Sequence, residues 1–178
     1  EGYNAQFLAV ELDPTTAAIG RYLYPHSWHI NNGFQNAELK DACFDLVVGN
    51  PPFGKQTLYD PNFPELRNFS IHNYFLAKSL SLLRPGGIGA FVVSRFFMDA
   101  ADPTARAHIA ESADLLGAVR LPETAFRQNA LTDVTTDILF FRTHDGPRLR
   151  STDWVQTSTL VPEDQKHLQN TVTLKSII

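Results

Sequence analysis

The run Phe44-Asp45-Leu46-Val47-Val48-Gly49 is nearly all apolar or β-branched, and it passes without a spacer into Asn50-Pro51-Pro52-Phe53. A run of this composition is expected of a parallel strand covered on both faces, because a half-solvated strand would alternate apolar and polar residues. Two successive prolines then hold φ twice and remove two backbone donors, so neither a strand nor a helix can continue. The result is a rigid turn with outward-facing carbonyls at the carboxyl end of a strand. In open α/β sheets that end is where ligands bind. Asn-Pro on its own is a common turn initiator, and it is the position after a buried strand that gives this turn a functional reading.

The remainder of the chain fits the same architecture. Short apolar runs alternate with helix-like stretches, as in an α/β sheet with helices on both faces. A strand is expected at Phe7–Glu11. A helix should follow, capped by Asp13 with Pro14 at its first position, burying Ile19, Tyr22 and Leu23 and stopped by Pro25. A short strand is expected near Ser27–Asn31. Residues 54–69 lack periodicity and read as a loop. Ser70 should cap a helix running to Leu83, ended by Pro85-Gly86-Gly87, before a buried strand at Ile88–Val93. Asp102-Pro103-Thr104 repeats the earlier helix start. Leu115–Leu121 and Val134–Arg142 are expected as a close antiparallel pair.

Composition excludes several classes. With 178 residues and 43% hydrophobic content the chain can build one real core. One cysteine, Cys43, rules out an internal disulfide framework and fits a reducing, cytoplasmic setting. No apolar run approaches the roughly 20 residues that span a bilayer. Net charge is −4. Duplex binders usually present a basic face, since phosphate contacts dominate affinity, so any grip on DNA is expected mostly outside this chain. The chain opens at Glu1 without methionine, as expected of a processed chain or a piece of a longer one.

The segment Asp45-Leu46-Val47-Val48-Gly49-Asn50-Pro51-Pro52-Phe53-Gly54 resembles motif IV of the S-adenosylmethionine-dependent amino-methyltransferases, and in particular the adenine-N6 DNA methyltransferases. That resemblance implies a Rossmann-like class I methyltransferase fold, a mostly parallel sheet with one antiparallel terminal strand. It also implies roles. A conjugated exocyclic amine is a poor nucleophile. The Asn50 side-chain oxygen and the Pro51 carbonyl would accept its two hydrogens, Pro52 would keep the turn rigid, and Phe53 would stack on the target base. No strong base is needed, only positioning and electrostatics. Stacking is worth about 1–3 kcal/mol per base and would offset part of the cost of flipping a base out of the duplex. Val10-Glu11-Leu12-Asp13 matches motif II, so Glu11 would receive the cofactor's ribose and Leu12 would pack on its adenine, while Asp13 is explained as a helix cap. Phe34, in Gly33-Phe34-Gln35, departs from the family's Gly-Asp but would still line the adenine pocket. Thr124-Ala125-Phe126, ahead of Val134–Arg142, is similar to motif VIII, with Phe126 packing on the flipped adenine.

Other chemistry is discounted. His72 is read as packing or as a helix-start hydrogen bond, because the family mechanism needs no histidine. Cys43 lacks the preceding proline of a cytosine-C5 nucleophile, and no metal-ligand set is picked out. Lys55, Tyr59 and Arg67 stand in a loop that Asp60 and Glu65 keep neutral.

The resemblance runs from about Phe7 to Arg142 and omits the Gly-rich motif I, with its central strand and helix. Residues 1–143 are thus expected to form a partial catalytic domain and 144–178 a connector toward a further region, in the γ motif order of large restriction, phage or mobile-element methylases. The isolated chain is expected to be inert. Two other readings remain open: an amino-methyltransferase acting on guanine N2 of ribosomal RNA or on protein glutamine, and a non-catalytic remnant that binds DNA or a partner subunit.

Overall fold

The computed structural model describes residues 5–122, 125, 135–147 and 151–158. The elements in chain order are β1 (Leu8–Glu11), α1 (Pro14–Leu23), β2 (Trp28–Asn31), β3 (Phe44–Gly49), α2 (Ile71–Ser81), β4 (Leu83–Ser94), α3 (Phe96–Asp99), α4 (Thr104–Ala110), β5 (Ala113–Arg120) and β6 (Thr136–Thr143). The expected alternation is present, and the fold is a mixed α/β one with a mostly parallel sheet.

The strands fall into two groups. β1 and β2 pair in parallel, Leu8 opposite Trp28 through Glu11 opposite Asn31. The other four lie in the order β3-β4-β6-β5. β3 is parallel to β4, and β6 runs antiparallel to both β4 and β5. The reversed strand is the last of the described strands in sequence but sits between two others in the sheet. Among the described residues, no strand lies between β1 and β3. Their open edges look onto a common cleft, lined by Leu8 and Val10 on one side and by Phe44, Leu46 and Val48 on the other.

Local chemistry accounts for most boundaries. The Asp13 carboxylate accepts the Thr16 amide at 2.7 Å and Pro14 opens α1, as expected. That bond holds the Asp13 carboxyl below the ordinary carboxylate range. Ser70 stands at the cap position of α2, but its hydroxyl makes no capping bond and pairs with His72 Nδ1 at 3.3 Å. α2 ends at Ser81, earlier than Pro85-Gly86-Gly87 suggested, because Leu83 already pairs with Phe44. The next paired residue of β4 is Ile88. Residues 84–87 therefore bulge out of the ladder, with Gly86 at φ 75. At the second Asp-Pro-Thr, Asp102 accepts both the Thr104 amide and its hydroxyl, and the helix begins one residue beyond the proline.

The core lies on one face of the four-stranded sheet. Phe91 and Val93 of β4, Leu115 of β5, and Leu139 and Phe141 of β6 pack against Tyr74, Leu76, Ala77 and Leu80 of α2 and Ile109 of α4. Each large apolar side chain buried there contributes about 1.5–3 kcal/mol. Residues 153–155, in the stretch expected as a connector, make a single 3-10 turn whose Trp154 and Val155 join this core. Trp154 packs edge-on against Phe141 at 5.9 Å. The buried Arg106 guanidinium binds the carbonyls of Val155, Phe97 and Ala100 at 2.7–2.8 Å. It thereby ties this turn to α3 and α4.

Two burial expectations fail. Helices were expected on both faces, yet the opposite face of the sheet is bare among the described residues. The register aligns Leu46, Val48, Ala90, Val92, Ile138, Phe140 and Val119 on it, and Val48 is 71% exposed. The stripe of α1 is likewise open: Ile19, Tyr22 and Leu23 are exposed, Tyr22 to 86%, and only Ala17 of that helix is buried. Periodicity marks the apolar side of a helix or strand, but burial also requires a neighbour, and within the described residues none covers these surfaces.

Candidate active site

The cleft between β1 and β3 has a volume of about 350 Å³ and opens at the carboxyl end of β3. Asn50 and Pro51 form its rim there. Phe34 and Phe75 make an aromatic wall, their ring centroids 4.8 Å apart. Val47, Leu82 and Phe91 complete the floor.

Asn50 is exposed while Pro51 is buried. Neither the Asn50 side chain nor the Pro51 carbonyl has a hydrogen-bond partner among the described residues. An amide oxygen and a carbonyl oxygen on consecutive residues, one beside the other at a strand end, thus remain available. Unused acceptors at the mouth of an apolar cleft suit a ligand that brings two N–H donors. Rigidity comes from the proline pair.

The other expected site residues distribute unevenly. Glu11 ends β1 next to Val10, which lines the cleft. One Glu11 carboxylate oxygen accepts the Asp13 amide at 2.8 Å, and the other accepts nothing among the described residues. Asn31 Nδ2 donates to the Glu11 and Leu12 carbonyls at 2.9 and 3.0 Å, fixing the strand end. Leu12 is exposed and does not line the cleft. Pro52 and Phe53 also lie outside its lining, and Phe53 is exposed on the loop that follows. Phe34 does line it. Phe126 lies outside the described residues. The structure therefore brings Asn50, Pro51 and Phe34 to one cleft with Glu11 at its edge.

Phe75 was missed in the sequence, and the signal was present. It sits in Tyr74-Phe75-Leu76-Ala77, a helix segment apolar on every side, where one aromatic must face something other than the sheet. His72, by contrast, is buried beside Ser70 and does not line the cleft. Its burial holds the imidazole below its ordinary value against an opposing hydrogen bond at the Gly54 backbone.

The Eco57I restriction-modification methylase family model matches residues 16–126, well over half of the chain and including the Asn-Pro-Pro-Phe turn. The chain is 26% identical over 156 residues to Defense against restriction protein B of Escherichia phage P1, a match covering 85% of this chain and 7% of that protein. A class I S-adenosylmethionine-dependent methyltransferase structure from Listeria monocytogenes superposes with a TM-score of 0.64 at 22% identity, over 80% of this chain and 46% of that one. The EcoKI M protein of a type I restriction enzyme does so with 0.62 at 22% identity, over 77% and 31%. The chain thus spans less than half the length of each of these relatives, and at such identities the solved structures speak for the fold alone. With the family model matched across the turn and its flanking elements, the chain belongs to the Eco57I restriction-modification methylase family.

Proposed function

We propose that the protein containing this segment transfers a methyl group from S-adenosylmethionine to the exocyclic N6 of an adenine flipped out of DNA. The observation that carries the reading is the pair of unpartnered acceptors, Asn50 Oδ1 and the Pro51 carbonyl, held rigidly at the open end of β3. Accepting both amine hydrogens would favour a pyramidal nitrogen and put its lone pair in line with the sulfonium methyl. Bound S-adenosylmethionine supplies an electrophilic methyl on sulfonium sulfur.

The residues present fit that group. The aromatic wall of Phe34 and Phe75 suits its adenine, and the free Glu11 oxygen at the end of β1 suits a ribose hydroxyl. Leu12, exposed beyond the cleft lining, would pack on the adenine from its solvent side. Phe53 and Phe126 would stack on the flipped base, with Pro52 keeping the turn rigid. Residues 1–143, with the turn at 153–155 packed on their core, act as a partial catalytic domain in this reading. Residues 144–178 lead on toward further regions, which also supply most of the grip on DNA, since the net charge of −4 gives little attraction to phosphate.

The test uses the complete parent protein with methyl-labelled S-adenosylmethionine and unmethylated DNA, digested to nucleosides, with Asn50→Ala alongside. Label in N6-methyladenosine that vanishes in the variant establishes reaction and site. Label found only in RNA or protein overturns the DNA assignment, and no label in any acceptor overturns the enzyme reading.

A further inference from the structure

The charged cluster behind the aromatic wall has no part in the chemistry above. Lys78 of α2 and Asp60 of the loop after Asn-Pro-Pro-Phe are paired at 2.8 Å, with side chains 2% and 1% exposed. The same ammonium donates to the Phe34 carbonyl at 2.7 Å. Tyr74 donates to the same Asp60 oxygen at 2.5 Å, and the other Asp60 oxygen accepts the Asn62 amide at 2.9 Å. The Lys78 nitrogen also lies 4.8 Å from the Phe34 ring centroid, 5.3 Å from Phe63 and 5.9 Å from Tyr74. Burial works to raise the Asp60 pKa, but the bonds from Lys78 and Tyr74 outweigh it and leave the carboxyl below its ordinary value. Burial and the Asp60 charge together push the Tyr74 phenol up, so it remains a donor.

A buried ion pair is a poor source of stability, because desolvation consumes most of the Coulomb gain and apolar replacements of similar volume often do as well. Geometry distinguishes this one. It joins three stretches far apart in sequence at a single atom: the turn bearing Phe34, the loop leaving the Asn-Pro-Pro-Phe turn, and the helix bearing Phe75. The Phe34 carbonyl is gripped directly, and the Phe34 ring packs on Phe75 one turn before Lys78.

We infer that Lys78, held by Asp60 and Tyr74, is a positioning residue that sets the Phe34–Phe75 wall against the loop following Asn50-Pro51-Pro52-Phe53, and so governs cofactor affinity separately from the methyl-transfer step. This rests on the methyltransferase reading above. Because Lys78 acts through Phe34, its loss should appear in binding of S-adenosylmethionine and in KM more than in kcat.

The experiment uses the intact parent protein with Lys78→Met, the charge-balanced pair Lys78→Met with Asp60→Asn, and the milder Tyr74→Phe. Equilibrium binding of labelled S-adenosylmethionine, KM, kcat and the melting temperature are measured for each. Lys78→Met should raise Kd and KM about tenfold or more while kcat changes far less, a tenfold loss corresponding to about 1.4 kcal/mol of lost cofactor contact. The charge-balanced pair should recover the melting temperature but not the affinity, and Tyr74→Phe should raise Kd by a smaller factor. Wild-type affinity in the balanced pair overturns the inference, as does an affinity loss that only tracks melting temperature. If neither Lys78 variant folds, unchanged affinity in Tyr74→Phe overturns it alone. Asn50→Ala separates the two levels: it should lose kcat with affinity retained, and full activity there sinks the site reading itself.

Discussion

Arg120, near the carboxyl end of the sheet, allows a quantitative test because it is shared by two carboxylates of different burial. Its Nε and Nη2 donate to Asp137 at 2.8 and 2.9 Å, and its Nη2 and Nη1 donate to Asp99 at 2.7 and 3.2 Å. The side chains are 12% exposed for Arg120, 0% for Asp137 and 31% for Asp99. Hydrogen bonding to Asp137, reinforced by Asp99, holds the guanidinium above its already high value, so its charge is permanent. The group sits where the chain leaves β5 and re-enters β6, with the Leu121 amide bonded to the Thr136 carbonyl and the Arg95 amide to the Thr135 carbonyl. It therefore clips together the two ends of the stretch that carries Phe126.

Removing one partner of a buried pair costs about 3–5 kcal/mol. Asp137→Ala should fall at the low end, about 3 kcal/mol, because Arg120 keeps Asp99 and some water. Asp99→Ala removes the more exposed partner and should cost about 1 kcal/mol or less. The assay is amide hydrogen exchange of β5 and β6 in the intact protein, which reads local opening free energies. Converted at about 1.4 kcal/mol per factor of ten, protection should fall on the order of a hundredfold for Asp137→Ala and at most about fivefold for Asp99→Ala. Equal losses in the two variants would refute the reasoning, since burial is the difference invoked. So would a loss below about tenfold for Asp137→Ala.

The pH dependence of α2 should carry the mark of His72. Its folded pKa is depressed, so below the unfolded value of about 6.5 the unfolded chain takes a proton that the folded one refuses. Stability of α2, from hydrogen exchange corrected for intrinsic rates, should therefore fall as pH drops below about 6.5, by at most about 1.4 kcal/mol per unit. His72→Gln should remove that slope, and a flat wild-type profile would contradict it. The bare face of Leu46, Val48 and Phe140 beside the open cleft leads us to expect that the 178-residue segment alone binds S-adenosylmethionine poorly. Tight binding by isothermal titration of the segment, in the low micromolar range or better, would show that no further cover is required.

What was legible in the sequence was local. The strand Phe44–Gly49, the Asp13-Pro14 helix start and the antiparallel pairing of the last two strands follow from residue type, capping chemistry and spacing over a few positions. Asn50 and Pro51 could be singled out because a proline pair after an apolar run permits one kind of turn, and a strand end is where a sheet presents ligands. Lys78 and Asp60 were not legible. Lysine on a helix reads as solvent-facing, and only a partner 18 residues away explains its burial. The hint was that the Tyr74–Leu80 stretch is apolar around Lys78 and offers it no wet side.

The sequence by itself therefore determined most of the strands and the longer helices, though not the short helix Phe96–Asp99, and which dipeptide closes the strand Phe44–Gly49, since those depend on backbone sterics and neighbouring side chains. The tertiary structure alone decided which apolar surfaces are covered and which polar groups meet. Ile19 and Leu23 are as hydrophobic as Leu139 and Phe141, yet the first two are exposed and the last two fully buried. Hydrophobicity is a property of a side chain, whereas burial is a property of a pair of surfaces, and the second surface is set by long-range packing that no local pattern encodes.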